Sequence, residues 1–201
     1  MGLAPTKQIF TVDEYLARER AAENRCEYFD GELYAMPRES AAHEAITANI
    51  AAELNQQLNE TPCAVFAQNM KVRAGDPPAA LFSLQGFYAY PDLAVVCGEP
   101  LYHDECRDAL LNPTVIFEIL SPATEVYDRG RKFARYRENL PSLIDYLLVA
   151  QDLAFIDHNH KDPDGRWARA SSKGLPASLY LSAIDCSLRL ADIYQNIKFP
   201  A

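Results

Sequence analysis

Two acidic residues stand where acids are costly. Glu118 lies inside Val115-Ile116-Phe117-Glu118-Ile119-Leu120, and Asp92 follows Pro91 at the head of Leu93-Ala94-Val95-Val96-Cys97. Both runs are nearly continuous apolar stretches, as central strands covered on both faces should be. A carboxylate with that many apolar neighbours is expensive unless it is paired or binds a cation. If the two strands are neighbours, the carboxylates meet at one point, and like charges that close ionise together only when a cation neutralises them. A few hard oxygen ligands completed by water suit Mg²⁺, with Mn²⁺ as its substitute. Lys132 offers a third part. Asp128, Lys132 and Tyr136 recur every four residues and share a helix face, while Phe133 and Leu140 can anchor an adjacent face to a sheet. An ammonium there can orient a water or steady charge on a phosphoryl oxygen. Singly, each has a blander reading: Asp92 as a turn or cap residue, Lys132 as a solvated or salt-bridging residue, Tyr136 as packing. The combination is what points to chemistry.

The elements that must position these residues can be read from pattern. Thr11-Val12-Asp13-Glu14 is a capping box opening a helix to about Ala22. Asp30-Gly31 between strand-like runs, from Cys26 to Met36, predicts a hairpin. Ser40 starts a helix whose Ile46, Ile50, Leu54 and Leu58 form one buried stripe, with His43 near its N-terminal end; Pro62 stops it. Cys63 to Val72 reads as one strand. Gly75 to Gly86 reads as a loop, and Phe82, Phe87, Tyr88 and Tyr90 make the 82–90 stretch at its second half aromatic and, by expectation, exposed. Strands follow at 92–97, 113–120, 145–150 and 153–157, with a helix over 124–138. Asp162-Pro163-Asp164-Gly165 is a turn with Trp167 on the returning strand, and 190–195 is a short helix. The mixture predicts an α/β (α+β) fold, a central mixed β-sheet flanked by helices. The chain reads as one domain over 1–201: an N-terminal helix and hairpin at 1–37, a catalytic core at 40–158, and a C-terminal hairpin and helix at 159–201.

Composition sets limits. The 201 residues are 49% hydrophobic and 23% charged, ordinary for a domain that buries a real core. No apolar run approaches the ~18 residues a bilayer span needs, and Met1 to Phe10 lack a signal-peptide pattern, so a cytoplasmic protein without membrane contact is expected. Five cysteines without a C-x-x-C pair argue against a disulfide framework or structural zinc, and Cys97 reads as small core filler. The net charge of −9 weighs against a strong nucleic-acid binder, because DNA affinity is mostly phosphate neutralisation. Binding would need a local basic patch, a dimer or a mediating metal. His158-Asn159-His160 spells another nuclease motif, but that motif is dispersed along a metal-binding hairpin, and these three read as exposed hairpin residues.

Taken in order, Tyr90-Pro91-Asp92, then Phe117-Glu118-Ile119-Leu120-Ser121-Pro122, then Asp128-Arg129-Gly130-Arg131-Lys132-Phe133-Ala134-Arg135-Tyr136-Arg137 resemble the PD-(D/E)xK nuclease superfamily, and within it the Uma family of restriction-endonuclease-like proteins. The resemblance extends to Thr11-Val12-Asp13-Glu14-Tyr15-Leu16, to Glu27-Tyr28-Phe29-Asp30-Gly31-Glu32-Leu33 with a following His43, to Pro141-Ser142-Leu143 and to Leu190-Ala191-Asp192-Ile193-Tyr194. It implies a restriction-endonuclease-like core in which Asp92, Glu118 and the Ile119 carbonyl bind the metal. One position departs from the superfamily pattern: Leu120 stands where a lysine is usual, and the resemblance gives that role to Lys132 on the helix. Glu27 matches a recurrent family acid that could ligate a second metal or a water. His43 matches a recurrent histidine near the pocket, with a satisfied helix-start histidine as the alternative.

These expectations define an endonuclease hydrolysing DNA through a metal-activated water, with Asp92, Glu118, Lys132, Glu27 and His43 catalytic. Arg129, Arg131 and Arg135, with Arg137 on the same helix, are candidate phosphate contacts. A homodimer follows from double-strand chemistry and the aromatic 82–90 segment. The competing expectations are a degenerate nuclease-like module that binds DNA or protein, and a metal-free hydrolase using the carboxylates as acid and base.

Overall fold

The computed structural model describes residues 8–67, 69–75 and 84–200. Helix α1 (Val12–Ala21) opens on the expected capping box: Thr11 Oγ1 accepts from the Glu14 amide at 3.2 Å, and Glu14 accepts from the Thr11 amide at 2.8 Å. Strands β1 (Cys26–Phe29) and β2 (Glu32–Ala35) form the hairpin. Its turn residues Asp30 and Gly31 have φ of 46° and 95°, the left-handed pair that a two-residue hairpin turn requires. A Cβ on Gly31 would also stand 2.7 Å from the Ile9 side chain. Helix α2 (Ala41–Gln57) begins at the Ser40 cap and buries Ile46, Ile50 and Leu54, with Leu58 beside them.

The run expected as a single strand over 63–72 divides. β3 (Cys63–Ala67) and β4 (Lys71–Ala74) belong to different sheets, because the chain crosses from one layer to the other between them. Residues 76–83, with Pro77-Pro78 and Phe82, lie outside the described residues. The exposed aromatic cluster is corrected. Phe87 and Tyr88 lie in β5 (Phe87–Ala89), and both are fully buried, as nearly is Tyr90. They face the interior because β5 is flanked by β1 and β4, which removes the aromatic argument for a dimer. Then come β6 (Leu93–Cys97), the two-residue β7 (Ala109–Leu110) and β8 (Val115–Leu120).

A continuous helical stretch follows: α3 (Glu125–Tyr127), a π-helical turn over Asp128–Lys132, and α4 (Phe133–Asn139). β9 (Asp145–Ala150), β10 (Phe155–Lys161) and β11 (Trp167–Lys173) form a meander. β10 starts and ends later than the expected 153–157, so His158-Asn159-His160 are strand residues paired on both sides. Asn159 is buried and the histidines are half-buried, so the reading of three exposed residues is overturned. β12 (Ser178–Leu181), β13 (Cys186–Arg189) and α5 (Leu190–Ile193) complete the chain.

The main sheet has the order β11-β10-β9-β8-β6-β3 and is mixed, with β8 and β9 parallel and the other pairs antiparallel. Alternation sends Val115, Phe117, Ile119, Leu147 and Val149 to one face, against α2, α5 and the β12–β13 hairpin. It sends Ile116, Leu120, Tyr146 and Leu148 to the other, against Tyr136 and Leu140 of the helical stretch and Val72, Phe87 and Ala89 of a second sheet. That sheet, ordered β2-β1-β5-β4-β7, carries α1 on its far side through Tyr15, Tyr28 and Tyr88. The fold is thus α+β, with a central mixed sheet flanked by helices and an added N-terminal helix. Among the described residues, no helix is long and apolar enough to cross a membrane.

The reading of unpaired cysteines is also corrected. β3 and β6 set Cys63 opposite Cys97 with Cα atoms 4.0 Å apart, and the two sulfurs are bonded; Cys26, Cys106 and Cys186 are free. Cross-strand register, which no count or spacing reveals, brings them together.

Candidate metal and catalytic centre

The gap between the two sheets, closed by the helical stretch, holds a cavity of about 480 Å³ that Glu27, His43, Asp92, Glu118, Asp128 and Lys132 all line. They arrive from five places in the chain, Asp128 and Lys132 sharing the π-helical turn, each for a local reason. β6 and β8 are antiparallel neighbours whose pairing spans Leu93↔Phe117 to Val95↔Val115. Asp92 therefore lies just past the end of the ladder, where Ile119 of β8 keeps Val149 of β9 but has no partner in β6. Asp92 Oδ2 takes the Ile119 amide at 2.7 Å instead. A strand residue's carbonyl points to the same side as its amide, so the Ile119 carbonyl also faces the Asp92 side.

Glu118 shares the face of Ile116 and Leu120 and is 3% exposed. Lys132 Nζ donates to Glu118 Oε2 at 2.9 Å and to the Tyr90 carbonyl at 3.3 Å, and stands 3.2 Å from Glu27 Oε1 and 3.6 Å from Asp128 Oδ1. Glu27 points inward from β1 and accepts from the Tyr90 amide at 3.0 Å. The π-helical turn is what aims Lys132: its wider winding keeps Asp128 and Lys132 both buried toward the sheet, ahead of a fully buried Tyr136. His43 Nε2 lies 3.3 Å from Asp92 Oδ1 and 3.2 Å from Glu39 Oε2.

The electrostatics are unbalanced. Glu27, Glu118 and Asp128 surround one lysine, and Asp92 stands beside His43 in the same cavity. Burial pushes the Glu118 carboxyl well above the ordinary carboxylate range, against the pull of Lys132, and burial raises Asp128 as well. Burial works against the Lys132 charge too, but Glu118, Glu27 and Asp128 outweigh it and hold the ammonium protonated. Burial alone would lower the His43 imidazole; the hydrogen bond and charge of Asp92, with Glu39 and Glu44, raise it instead. Glu118 Oε1 is buried without a hydrogen-bond partner among the described residues. A divalent cation would relieve both the orphaned oxygen and the charge excess. Two carboxylates, one carbonyl and water form a donor set that fits Mg²⁺.

All five residues expected to be catalytic thus line one cavity. Sequence reasoning left out two. Asp128 was placed on the Lys132 face but not in the site, and it is a fourth carboxylate. Glu39 was missed, although its four-residue spacing to His43 was a usable signal. The arginines are less available than expected. Arg129 is bound to Asp157 and Glu125, and Arg135 to Asp30, while Arg131 lies over the Phe29 ring at 4.1 Å and donates to the Tyr34 hydroxyl at 3.2 Å. Arg137 lies over Phe133 on the surface.

A second cluster lies elsewhere. Asp145, His158 and His160 bring three ligand atoms within 4.8 Å of one another and are capable of coordinating a divalent metal. Among the described residues, the acids of the first cavity form no comparable side-chain triad.

Comparison with known proteins is consistent across the chain. A family model described as "Uma2: Putative restriction endonuclease" matches residues 12–191. Two relatives from Synechocystis sp. (strain ATCC 27184 / PCC 6803 / Kazusa) align over most of their length. "Uncharacterized protein slr1290" is 33% identical over 187 residues, 93% of this chain and 92% of that protein. "Uncharacterized protein sll1609" is 30% identical over 182 residues, 90% of this chain and 98% of that protein. A crystal structure described as "a putative nuclease belonging to DUF820", from Anabaena variabilis ATCC 29413, has a TM-score of 0.72 at 17% identity, covering 92% of this chain and 97% of that one.

Proposed function

The chain belongs to the Uma2 family, within the PD-(D/E)xK-like nuclease superfamily, and from that premise we propose that it is a Mg²⁺-dependent endonuclease hydrolysing DNA phosphodiester bonds in the cavity between its sheets. The observation that carries this reading is the buried, orphaned Glu118 oxygen beside Asp92, in a cavity with five carboxylates and one lysine. A bound divalent ion supplies Lewis-acid polarisation of a phosphoryl oxygen and activation of water.

Asp92 and Glu118 would hold the ion, with the Ile119 carbonyl as a further oxygen available to it. Asp92 is fixed for this by the Ile119 amide and by His43, which leaves its carboxylate little rotational freedom. Lys132 stays protonated among its acids, so its role is to position water and stabilise charge on the transferring phosphate rather than to abstract a proton. Glu27 aims the ammonium from the opposite sheet and is available to a water or a second ion. Arg131, stacked on Phe29 beside the cavity-lining Tyr34, is the best-placed phosphate contact of the helix. With a net charge of −9, contact with DNA runs mainly through the ion and this local cation.

The test is nicking of supercoiled plasmid in Mg²⁺ or Mn²⁺ by the wild type and by Glu118→Gln. Loss of cleavage in the variant and in chelator is expected; equal cleavage by both proteins overturns the assignment. A second reading, a nuclease-like domain kept for binding, draws on the ion-paired Arg129 and Arg135 and on Leu120. Calorimetric titration with Mn²⁺ separates the two, because a binding module shows no uptake dependent on Asp92 and Glu118.

A further inference from the structure

The Asp145–His158–His160 cluster does not belong to the carboxylate cavity. Asp145 shares the sheet face of Leu147 and Val149, whereas Glu118 shares the face of Leu148 and Tyr146. Asp145 pairs with Val115 at the start of β8, three residues or about 10 Å along the strand from Glu118. The two groups are therefore on opposite faces and toward opposite ends of the main sheet.

Strand geometry explains the convergence. His158 and His160 are two apart on β10, so they share a face, and their rings lie 5.8 Å apart. His160 is directly opposite Asp145 on β9, and His158, opposite Leu147, is its diagonal neighbour. His158 Nε2 and His160 Nδ1 both approach Asp145 Oδ1, at 2.6 and 2.7 Å. Asp145 is fully buried, and its second oxygen, Oδ2, has no hydrogen-bond partner among the described residues. A pair of histidine–aspartate hydrogen bonds on Oδ1 leaves Oδ2 unexplained, and a cation held by the histidines and chelated by both carboxylate oxygens would give it a partner.

We propose that Asp145, His158 and His160 form a second metal site, selective for Zn²⁺ or a similar imidazole-favouring ion rather than for Mg²⁺. Two imidazoles with one carboxylate are a zinc-type donor set, and hard, strongly hydrated Mg²⁺ has little affinity for imidazole. Ligand atoms in a tetrahedral zinc site stand about 3.3 Å apart, so loading requires the histidine nitrogens, now at 2.6 and 2.7 Å, to withdraw from Asp145 Oδ1 by roughly 0.6–0.7 Å. Three protein ligands leave one position for solvent. The histidines line a surface cleft of about 300 Å³, with Arg169, Tyr180 and Ser182, that gives the ion a way in. The bound ion ties β9 to β10 across the sheet. This proposal is independent of the nuclease reading.

The test uses the full chain purified in chelator and then freed of it. Zn²⁺ and Mg²⁺ are titrated by calorimetry, and the four histidine side chains are followed by nitrogen-15 NMR. One equivalent of Zn²⁺ at micromolar or tighter affinity is expected, with the His158 and His160 ring nitrogens shifting while His43 and His103 stay in place. Half-exposed His160 tolerates replacement, and His160→Ala is expected to weaken Zn²⁺ at least tenfold with an unchanged circular dichroism spectrum. Glu118→Gln is expected to keep the site. No Zn²⁺ uptake by the wild type overturns the proposal, as does a shift at His43 in place of His158 and His160, or binding lost in Glu118→Gln but not in His160→Ala. The wild-type NMR reading decides the matter even if a variant fails to fold.

Discussion

The two faces of the main sheet handle buried charge in opposite ways. On the face toward the second sheet, Glu27, Glu118 and Asp128 crowd one lysine with Asp92 and His43 beside them, and every donor except Lys132 and His43 is an oxygen. On the other face, a single carboxylate meets two imidazoles. The first group comes from separate parts of the chain and is rich in carboxylates. The second comes from one hairpin and carries one formal charge. Local pairing can build a small, self-contained cluster; only the meeting of two sheets and a helix can force four carboxylates together. That enforced repulsion is what a hard divalent cation relieves, so the costly site is the better candidate for chemistry.

The comparison breaks first at Glu118. Glu118→Gln is expected to lower plasmid nicking on the order of 10³-fold, the ~4 kcal/mol that a misheld catalytic ion forfeits; residual nicking near the wild-type rate would place the chemistry elsewhere. Next is Lys132→Met, which strands the acids without their cation. Urea unfolding is expected to show a loss of about 3–5 kcal/mol, part of it recovered by added Mg²⁺. A variant as stable as the wild type would mean that the acids are protonated or solvated and that the charge excess is not real.

A third prediction concerns pH. Burial raises Glu118 and Asp128 above the ordinary carboxylate range, so the folded protein holds protons that the unfolded chain has released. Their contribution to stability is present below the unfolded carboxylate pKa and is lost as pH rises through the raised folded values. The metal-free protein therefore loses stability toward neutral pH from these groups, and a cation competes with their protons. The rise in Tm produced by Mg²⁺ is expected to grow as pH rises from the ordinary carboxylate range through the raised values of these two acids. A rise independent of pH would show that the ion does not sit on these acids. The smallest effect is at the rim. Arg131→Ala is expected to reduce the slope of log affinity against log salt for DNA by about 0.9, the signature of one phosphate contact, whereas ion-paired Arg129→Ala changes it less. Fluorescence anisotropy across a salt series measures both.

The sequence by itself determined the local elements and the residue types that the first cavity gathers. The Thr11 and Ser40 caps, the Asp30-Gly31 turn and the Ile46–Leu54 stripe depend on neighbours within a few residues, which pattern reports. The lone acid in Val115–Leu120 was legible as a site because a buried strand has few cheap reasons to hold one. Position along the chain could not report what arises between distant segments. The break between Ala67 and Lys71, the burial of Phe87 and Tyr88, and the Cys63–Cys97 bond all follow from which strands become neighbours. Asp128 became a member of the cavity through a π-helical turn, a winding that four-residue spacing does not distinguish from an ordinary helix. His158 and His160 are the sharpest instance. Their spacing was visible and looked idle, because Asp145, thirteen residues earlier, meets them only when β9 and β10 pair in this register. A side chain's type is fixed by the sequence, but its neighbours across a sheet are fixed by register, and it is the neighbours that turn a residue into a ligand.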